Sequence, residues 1–224
     1  TATTEIYTLS LDDALPIFGN LQLTAGKAAM DSIQKAVSKE LNRNQKVVSL
    51  GGDHSITFPI IQAYSQSFPD LNILHIDAHP DLYDNFENNP YSHASPFARI
   101  MEKGLVNRLV QVGIRTLNDH QKEQVKRFGL EVIEMKDFDP TVSFQFGGPV
   151  YISIDMDALD PAFAPGVSHH EPGGLSTREV INIIHQLNGN VVGGDIVEYN
   201  PDRDINEMTA MVGSKLLKDR KSVV

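Results

Sequence analysis

Short apolar runs alternate with amphipathic stretches along this chain. Met30, Ile33, Val37 and Leu41 recur at helical spacing, with Thr24 or Asp31 as possible starts. A buried strand is predicted over 47–50, then a glycine loop and a second helix over 57–67. The next strand is 73–76, followed by a loop over 77–93 rich in Asn, Asp and Pro. A loop of that length is unusual in a compact domain unless it carries function. A helix over 94–103 leads to a strand over 108–113; a helix over 119–128 leads to a strand over 131–135. Residues 150–154 form a further strand and 155–175 a second long loop. Ser176 and Glu179 make a capping box that opens a helix reaching Leu187. The last strand is 191–196, and a helix from about Asn206 closes the chain.

Strands that alternate with helices and lack hairpin signals predict an α/β fold: a mostly parallel sheet covered by helices on both faces. In such sheets ligands sit beyond the carboxyl ends of the strands. His54, Asp77, His79, Asp81, Asp155, Asp157 and Glu198 all follow a strand end.

Residues 1–17 show no sustained period and lead into no clear element. They resemble a translated sequencing-adapter peptide, so a non-native leader is expected over 1–17. A single hydrolase domain is then expected over 18–224, with one or more N-terminal strands missing.

Composition narrows the function classes. The 224 residues suffice for one domain, and at 41% hydrophobic and 21% charged they are ordinary for a globular protein. No apolar run is long enough to span a membrane. The net charge of −10 argues against nucleic acid as a partner and suits a cationic small molecule. Zero cysteines exclude disulfides and thiolate metal sites and fit a cytoplasmic setting. Any metal must be held by Asp, Glu and His.

The acidic strand ends supply that chemistry. Along an extended segment, residues i, i+2 and i+4 share a face. Asp77, His79 and Asp81 therefore converge from one strand end, Asp155 and Asp157 from another, and His54 adds an imidazole. Four carboxylates and two imidazoles suit two hard divalent ions, Mn²⁺ better than zinc. Taken singly, the glycine loop before His54 fits a tight turn, and each Asp pair fits capping chemistry. Three ionisable groups within Asp77–Asp81 are harder to leave without a partner. No Gly-x-Ser-x-Gly elbow offers a rival nucleophile, so a two-metal hydrolase is expected. Glu198 fits either of two roles: a pocket carboxylate receiving a planar cation in bidentate fashion, or half of an ion pair with Arg203. His93, at the end of the first long loop, fits a proton shuttle or an ordinary loop histidine.

Gly51-Gly52-Asp53-His54-Ser55, Asp77-Ala78-His79-Pro80-Asp81 and Ser153-Ile154-Asp155-Met156-Asp157-Ala158-Leu159-Asp160-Pro161 resemble the three signatures of the ureohydrolases. That family includes arginase and agmatinase. The resemblance runs from about Phe18 to the C-terminus and implies a three-layer α/β/α fold. It also implies two Mn²⁺ per chain held by His54, Asp77, His79, Asp81, Asp155 and Asp157. The catalytic residues it implies are Asp81, His93 as proton shuttle and Glu198 as guanidinium partner. The implied reaction is attack of a metal-bridging hydroxide on a guanidinium carbon, with release of urea and an amine. Homo-oligomers, trimeric or hexameric, are implied as well.

The stretches Tyr91-Ser92-His93-Ala94-Ser95 and Pro165-Gly166-Val167-Ser168-His169 are similar to plant-type arginases and their bacterial relatives. L-arginine is accordingly the expected substrate, with agmatine as the alternative. Asn85 and His169 are candidates for contacts with the substrate tail. Two rivals are weaker: a single-zinc deacetylase would not need both Asp pairs and His54, and a non-catalytic relative would be expected to have lost a ligand.

Overall fold

The computed structural model describes residues 4–9, 17–24 and 26–221. Eight strands form one sheet: β1 (Thr4–Leu9), β2 (Ile17–Leu21), β3 (Lys46–Leu50), β4 (Asn72–Ile76), β5 (Arg108–Ile114), β6 (Glu131–Glu134), β7 (Phe144–Asp155) and β8 (Leu187–Val197). The helices are α1 (Lys27–Leu41), α2 (Thr57–Ser67), α3 (Pro96–Glu102), α4 (Asp119–Phe128), α5 (Thr177–Gln186) and α6 (Met208–Lys221).

The strand order is β2-β1-β3-β8-β7-β4-β5-β6. From β3 to β6 every pairing is parallel. β1 and β2 are antiparallel additions beyond β3. The segment expected to carry no element thus contributes the backbone of β1, which pairs Glu5 with Leu50 and Leu9 with Lys46. Its β-branched and aromatic content fits a strand, and the open edge of β3 offers it unpaired peptide groups.

Alternation along the central strands sends side chains to two cores. Ile73, Leu109, Tyr151 and Val192 face one side and pack with Ile33 and Val37 of α1, Ile60 and Ile61 of α2 and Phe97 of α3. Leu74, Val110, Ile152 and Val191 face the other and pack with Val180 and Ile184 of α5 and Leu216 of α6. These are the three layers the sequence pattern implies. Both β7 and β8 extend well beyond the predicted cores at 150–154 and 191–196. β7 absorbs Gly147, Gly148 and Pro149 through a register shift between Gln145 and Pro149, which lets a proline sit within a central strand.

β3, β8, β7 and β4 are immediate neighbours, so their carboxyl ends form one contiguous rim. Among the described residues, no helix is long and apolar enough to cross a membrane.

Candidate metal centre and guanidinium pocket

Each site residue sits where the chain leaves a strand. β3 runs into a 3₁₀ turn, His54–Ile56, whose N-cap Asp53 accepts from the Ser55 N–H; this points the His54 ring inward, where it is buried. β4 delivers buried Asp77, whose Oδ1 accepts from the His79 N–H at 2.7 Å. β7 ends at Asp155, which caps the following turn by accepting from the Asp157 N–H at 2.8 Å.

The six expected ligands meet at this rim. His54 Nδ1 lies 3.2 Å from Asp77 Oδ2 and 3.1 Å from both Asp81 Oδ2 and Asp155 Oδ2. His79 Nδ1 lies 3.1 Å from Asp157 Oδ2 and 3.6 Å from Asp77 Oδ1. Asp77 thus reaches both imidazoles, one with each oxygen. Asp81 (φ 50°) and Glu198 (φ 62°) both adopt left-handed backbone, which disfavours side chains other than glycine. Such strain, of order 1–3 kcal/mol per residue, is retained where the surrounding structure holds it for function.

The electrostatics show what charge this cluster accommodates. Burial pushes the Asp81 pKa up to about 6, aided by the Asp77 charge. Burial and the neighbouring Asp157 and Asp77 charges raise Asp155 well above the carboxylate range. Burial opposes protonation of His79, yet Asp157 and Asp77 push its pKa up to about 12. His54 is likewise raised, by Asp155, Asp77 and Asp81 acting against burial. Even so, His54 Nδ1 is buried without a hydrogen-bond partner while three carboxylate oxygens stand around it. Divalent cations fit this place, because they would take over the positive charge that protons on His54 and His79 otherwise provide. The donor set, four carboxylates and two imidazoles, is oxygen-rich and suits a hard ion.

His75 also belongs to the cluster, as sequence reasoning missed. Its ring is buried against Phe97, with centroids 3.9 Å apart, and its Nε2 lies 2.7 Å from Asp77 Oδ2. Gln111 Nε2 donates to His75 Nδ1 at 2.9 Å, so the ring proton is on Nε2 and donates to Asp77. With both nitrogens engaged, His75 orients a carboxylate and has no lone pair left for a metal. The available signal was its position two residues before Asp77, on the same strand face.

A cavity of about 220 Å³ opens onto the cluster, lined by His79, Asp81, Asp155 and Asp157 and, farther out, by His93, His169, Glu171 and Glu198. Glu198 is partly buried, its Oε1 accepts from the His54 N–H at 2.8 Å, and burial raises its pKa to about 7. The alternative ion pair is not formed among the described residues: Arg203 Nη1 donates instead to the Ser168 carbonyl at 3.1 Å. His93 and His169 stack at the cavity mouth with centroids 5.7 Å apart. Asn85 is exposed in the 77–93 loop and is not among the residues lining the cavity. Arg115 was not anticipated either. Its guanidinium donates to the carbonyls of Asp157 at 2.8 Å and Glu171 at 2.6 Å, pinning the second long loop to the end of β5.

Residues 4–220 match the profile of the Arginase family. The chain belongs to that family. It is 57% identical over 179 residues to Arginase 1, mitochondrial, of Oryza sativa subsp. indica, covering 76% of this chain and 53% of the relative. It is 34% identical over 209 residues to an agmatinase of Bacillus cereus, covering 90% of this chain and 72% of that one. The structure of arginase from Medicago truncatula superposes with a TM-score of 0.82 at 47% identity, covering 88% of this chain and 65% of that chain. A Mn²⁺-bound triple mutant of an arginase-like protein from T. brucei superposes with a TM-score of 0.81 at 33% identity, covering 96% of this chain and 71% of that one. The chain spans about half the length of the curated plant relatives it matches. These relatives correct one expectation. The plant arginases are named mitochondrial, or chloroplastic and mitochondrial, which overturns the cytoplasmic setting inferred from composition. A cysteine-free composition rules out disulfides but does not discriminate between compartments.

Proposed function

We propose that this arginase-family protein hydrolyses the guanidinium group of L-arginine to urea and L-ornithine. The observation that carries the proposal is the convergence of six ligand-type side chains, Asp77 among them, beside a cavity bearing Glu198. His54, Asp77, Asp81 and Asp155 would hold one Mn²⁺, and Asp77, His79 and Asp157 a second. Bound there, the ions would supply Lewis-acid activation of water and of the substrate carbon.

The remaining work falls to side chains. The Glu198 carboxylate, tethered by one oxygen to the His54 N–H, turns toward the cavity to accept N–H donors of the guanidinium. It thereby orients the planar carbon over the carboxylate cluster. His93, at the mouth, delivers a proton to the leaving amine of ornithine. His169, which lines the cavity, meets the amino-acid end of the substrate, whereas Asn85, which does not line it, drops out of that role. Arginine is preferred to agmatine because the rice arginase is the nearer relative, at 57% identity against 34% for the agmatinase. A homo-oligomeric assembly belongs to the same proposal.

The test is urea release with added Mn²⁺ from L-arginine, agmatine and 4-guanidinobutyrate side by side. Turnover confined to arginine is expected. Preference for agmatine would move the assignment to the agmatinase branch, and silence on all three would refute the activity of this chain.

A further inference from the structure

Behind His54, on the side away from the cavity, lies a second buried polar cluster. Its centre is Asp195 of β8, fully buried. Its carboxylate accepts from Thr57 Oγ1 at 2.8 Å, Tyr151 Oη at 2.9 Å and Ser153 Oγ at 2.6 Å. Those donors come from α2 and β7, the elements that flank β8 and the His54 turn. Ser153 Oγ also lies 3.0 Å from His54 Nε2.

The direction of each bond follows from counting protons. A serine hydroxyl has one proton to donate, and a carboxylate can only accept. At 2.6 Å the Ser153 proton is committed to Asp195. Toward His54 the same oxygen can then only accept, so His54 must present Nε2–H. That leaves Nδ1 as the nitrogen facing Asp77, Asp81 and Asp155.

We propose that Asp195, acting through Ser153, is a positioning residue that locks His54 in its Nε2–H form and dedicates Nδ1 to a divalent cation. This rests on the metal-centre reading given above. Asp195 touches neither the cavity nor the ligand carboxylates. Its three hydroxyl donors fix its rotamer, and its charge makes the relayed imidazole a stronger donor to metal. Outer partners of this kind are worth about 10–100-fold in metal affinity.

The competing explanation is that Asp195 only ties α2 to the sheet through Thr57. The two differ in what Mn²⁺ binding does. The experiment is equilibrium dialysis of the chelator-stripped full chain against Mn²⁺, for the wild type, Ser153→Ala, Asp195→Asn and the double variant. Each is also followed by thermal unfolding without metal. Each single variant is expected to bind Mn²⁺ about 10–100-fold more weakly. The double variant is expected to match the weaker single, because the two residues act in series. Wild-type affinity in Ser153→Ala would overturn the proposal, whatever happens to thermal stability. If Asp195→Asn does not fold, Ser153→Ala alone decides, since it removes one atom and leaves Asp195 with Thr57 and Tyr151. A wild-type chain that binds no Mn²⁺ would instead sink the metal-centre reading itself and the relay with it.

Discussion

Replacing Glu198 with Gln isolates the proposed guanidinium contact from the proposed metal centre. Glu198 Oε1 accepts from the His54 N–H at 2.8 Å. In Glu198→Gln the amide oxygen keeps that bond, because an amide nitrogen facing an N–H would be repelled. The amide NH₂ is then turned into the cavity, where it offers donors to a guanidinium that is itself donor-only. Both charge-assisted bonds to substrate are lost together. Each is worth about 1.5–3 kcal/mol, and the partly open cavity argues for the lower end of that range. The sum is about 3 kcal/mol, or roughly two orders of magnitude in kcat/KM at about 1.4 kcal/mol per factor of ten. Steady-state urea release on L-arginine at saturating Mn²⁺ measures it. Mn²⁺ binding should change little, because Glu198 is not one of the six ligands and its side chain keeps the length that satisfies His54. A kcat/KM within threefold of wild type would show that the guanidinium binds elsewhere.

Three further substitutions probe other parts of the argument. Asp77→Asn should cost roughly 3–5 kcal/mol at the centre, since an amide cannot serve His75, His79 and a cation at once; dialysis should show Mn²⁺ affinity down by at least about a hundredfold. Gly193→Ala should destabilise the fold by about 1–3 kcal/mol in urea melts, because the new methyl would collide with the Tyr64 ring across the β8 backbone. Asp204 accepts from the N–H groups of Thr209, at 3.0 Å, and Ala210, at 3.1 Å, in the first turn of α6. Against a burial penalty, those bonds hold its pKa down at about 2. A depressed carboxylate contributes stability that is complete above the unfolded value of about 3.9 and is lost as pH falls toward the folded one. Asp204→Ala should therefore cost about 1 kcal/mol at pH 7, and the gap to wild type should close between about pH 4 and pH 2; a gap that persists at pH 2 would refute the cap.

Much of this was legible in the chain because the relevant rules are local. Two helices fall on the predicted ranges, α2 at Thr57–Ser67 and α4 at Asp119–Phe128, since their amphipathic pattern and flanking breakers are contained within the segments. The convergence of Asp77, His79 and Asp81 was expected from the pitch of a continuing strand, but the chain reaches it differently: β4 ends at Ile76, residues 78–79 bend and Asp81 is left-handed (φ 50°). The strand in Thr4–Leu9 was missed because a strand's existence depends on the edge it meets, which here is Lys46–Leu50. The long N-terminal half of β7 was missed because Gly147-Gly148-Pro149 reads as a stop unless a bulge is available. His75 and Asp195 were passed over for a different reason. Each has its meaning fixed by residues distant in sequence, Gln111 for one and Thr57, Tyr151 and Ser153 for the other. Arg115 gave no signal at all, since it binds backbone carbonyls that any sequence would supply.

The place of β8 in the sheet has a consequence for how the protein comes into being. It is the most C-terminal of the described strands, yet it lies between β3 and β7. Until residues 187–197 leave the ribosome, no described element joins the His54 strand to the strands that carry the other five proposed ligands. β3 and β7 would each present an unsatisfied edge, open to adhesion with other chains. Insertion of β8 closes both edges and assembles the ligand set in one event. Because the sequence separations are long and the pairings parallel, that event is expected to be the slow one. The proposed metal can therefore reward only the finished sheet. Supplied during synthesis or refolding, it would act as a thermodynamic latch, adding about 2.7 kcal/mol at a hundred times its dissociation constant.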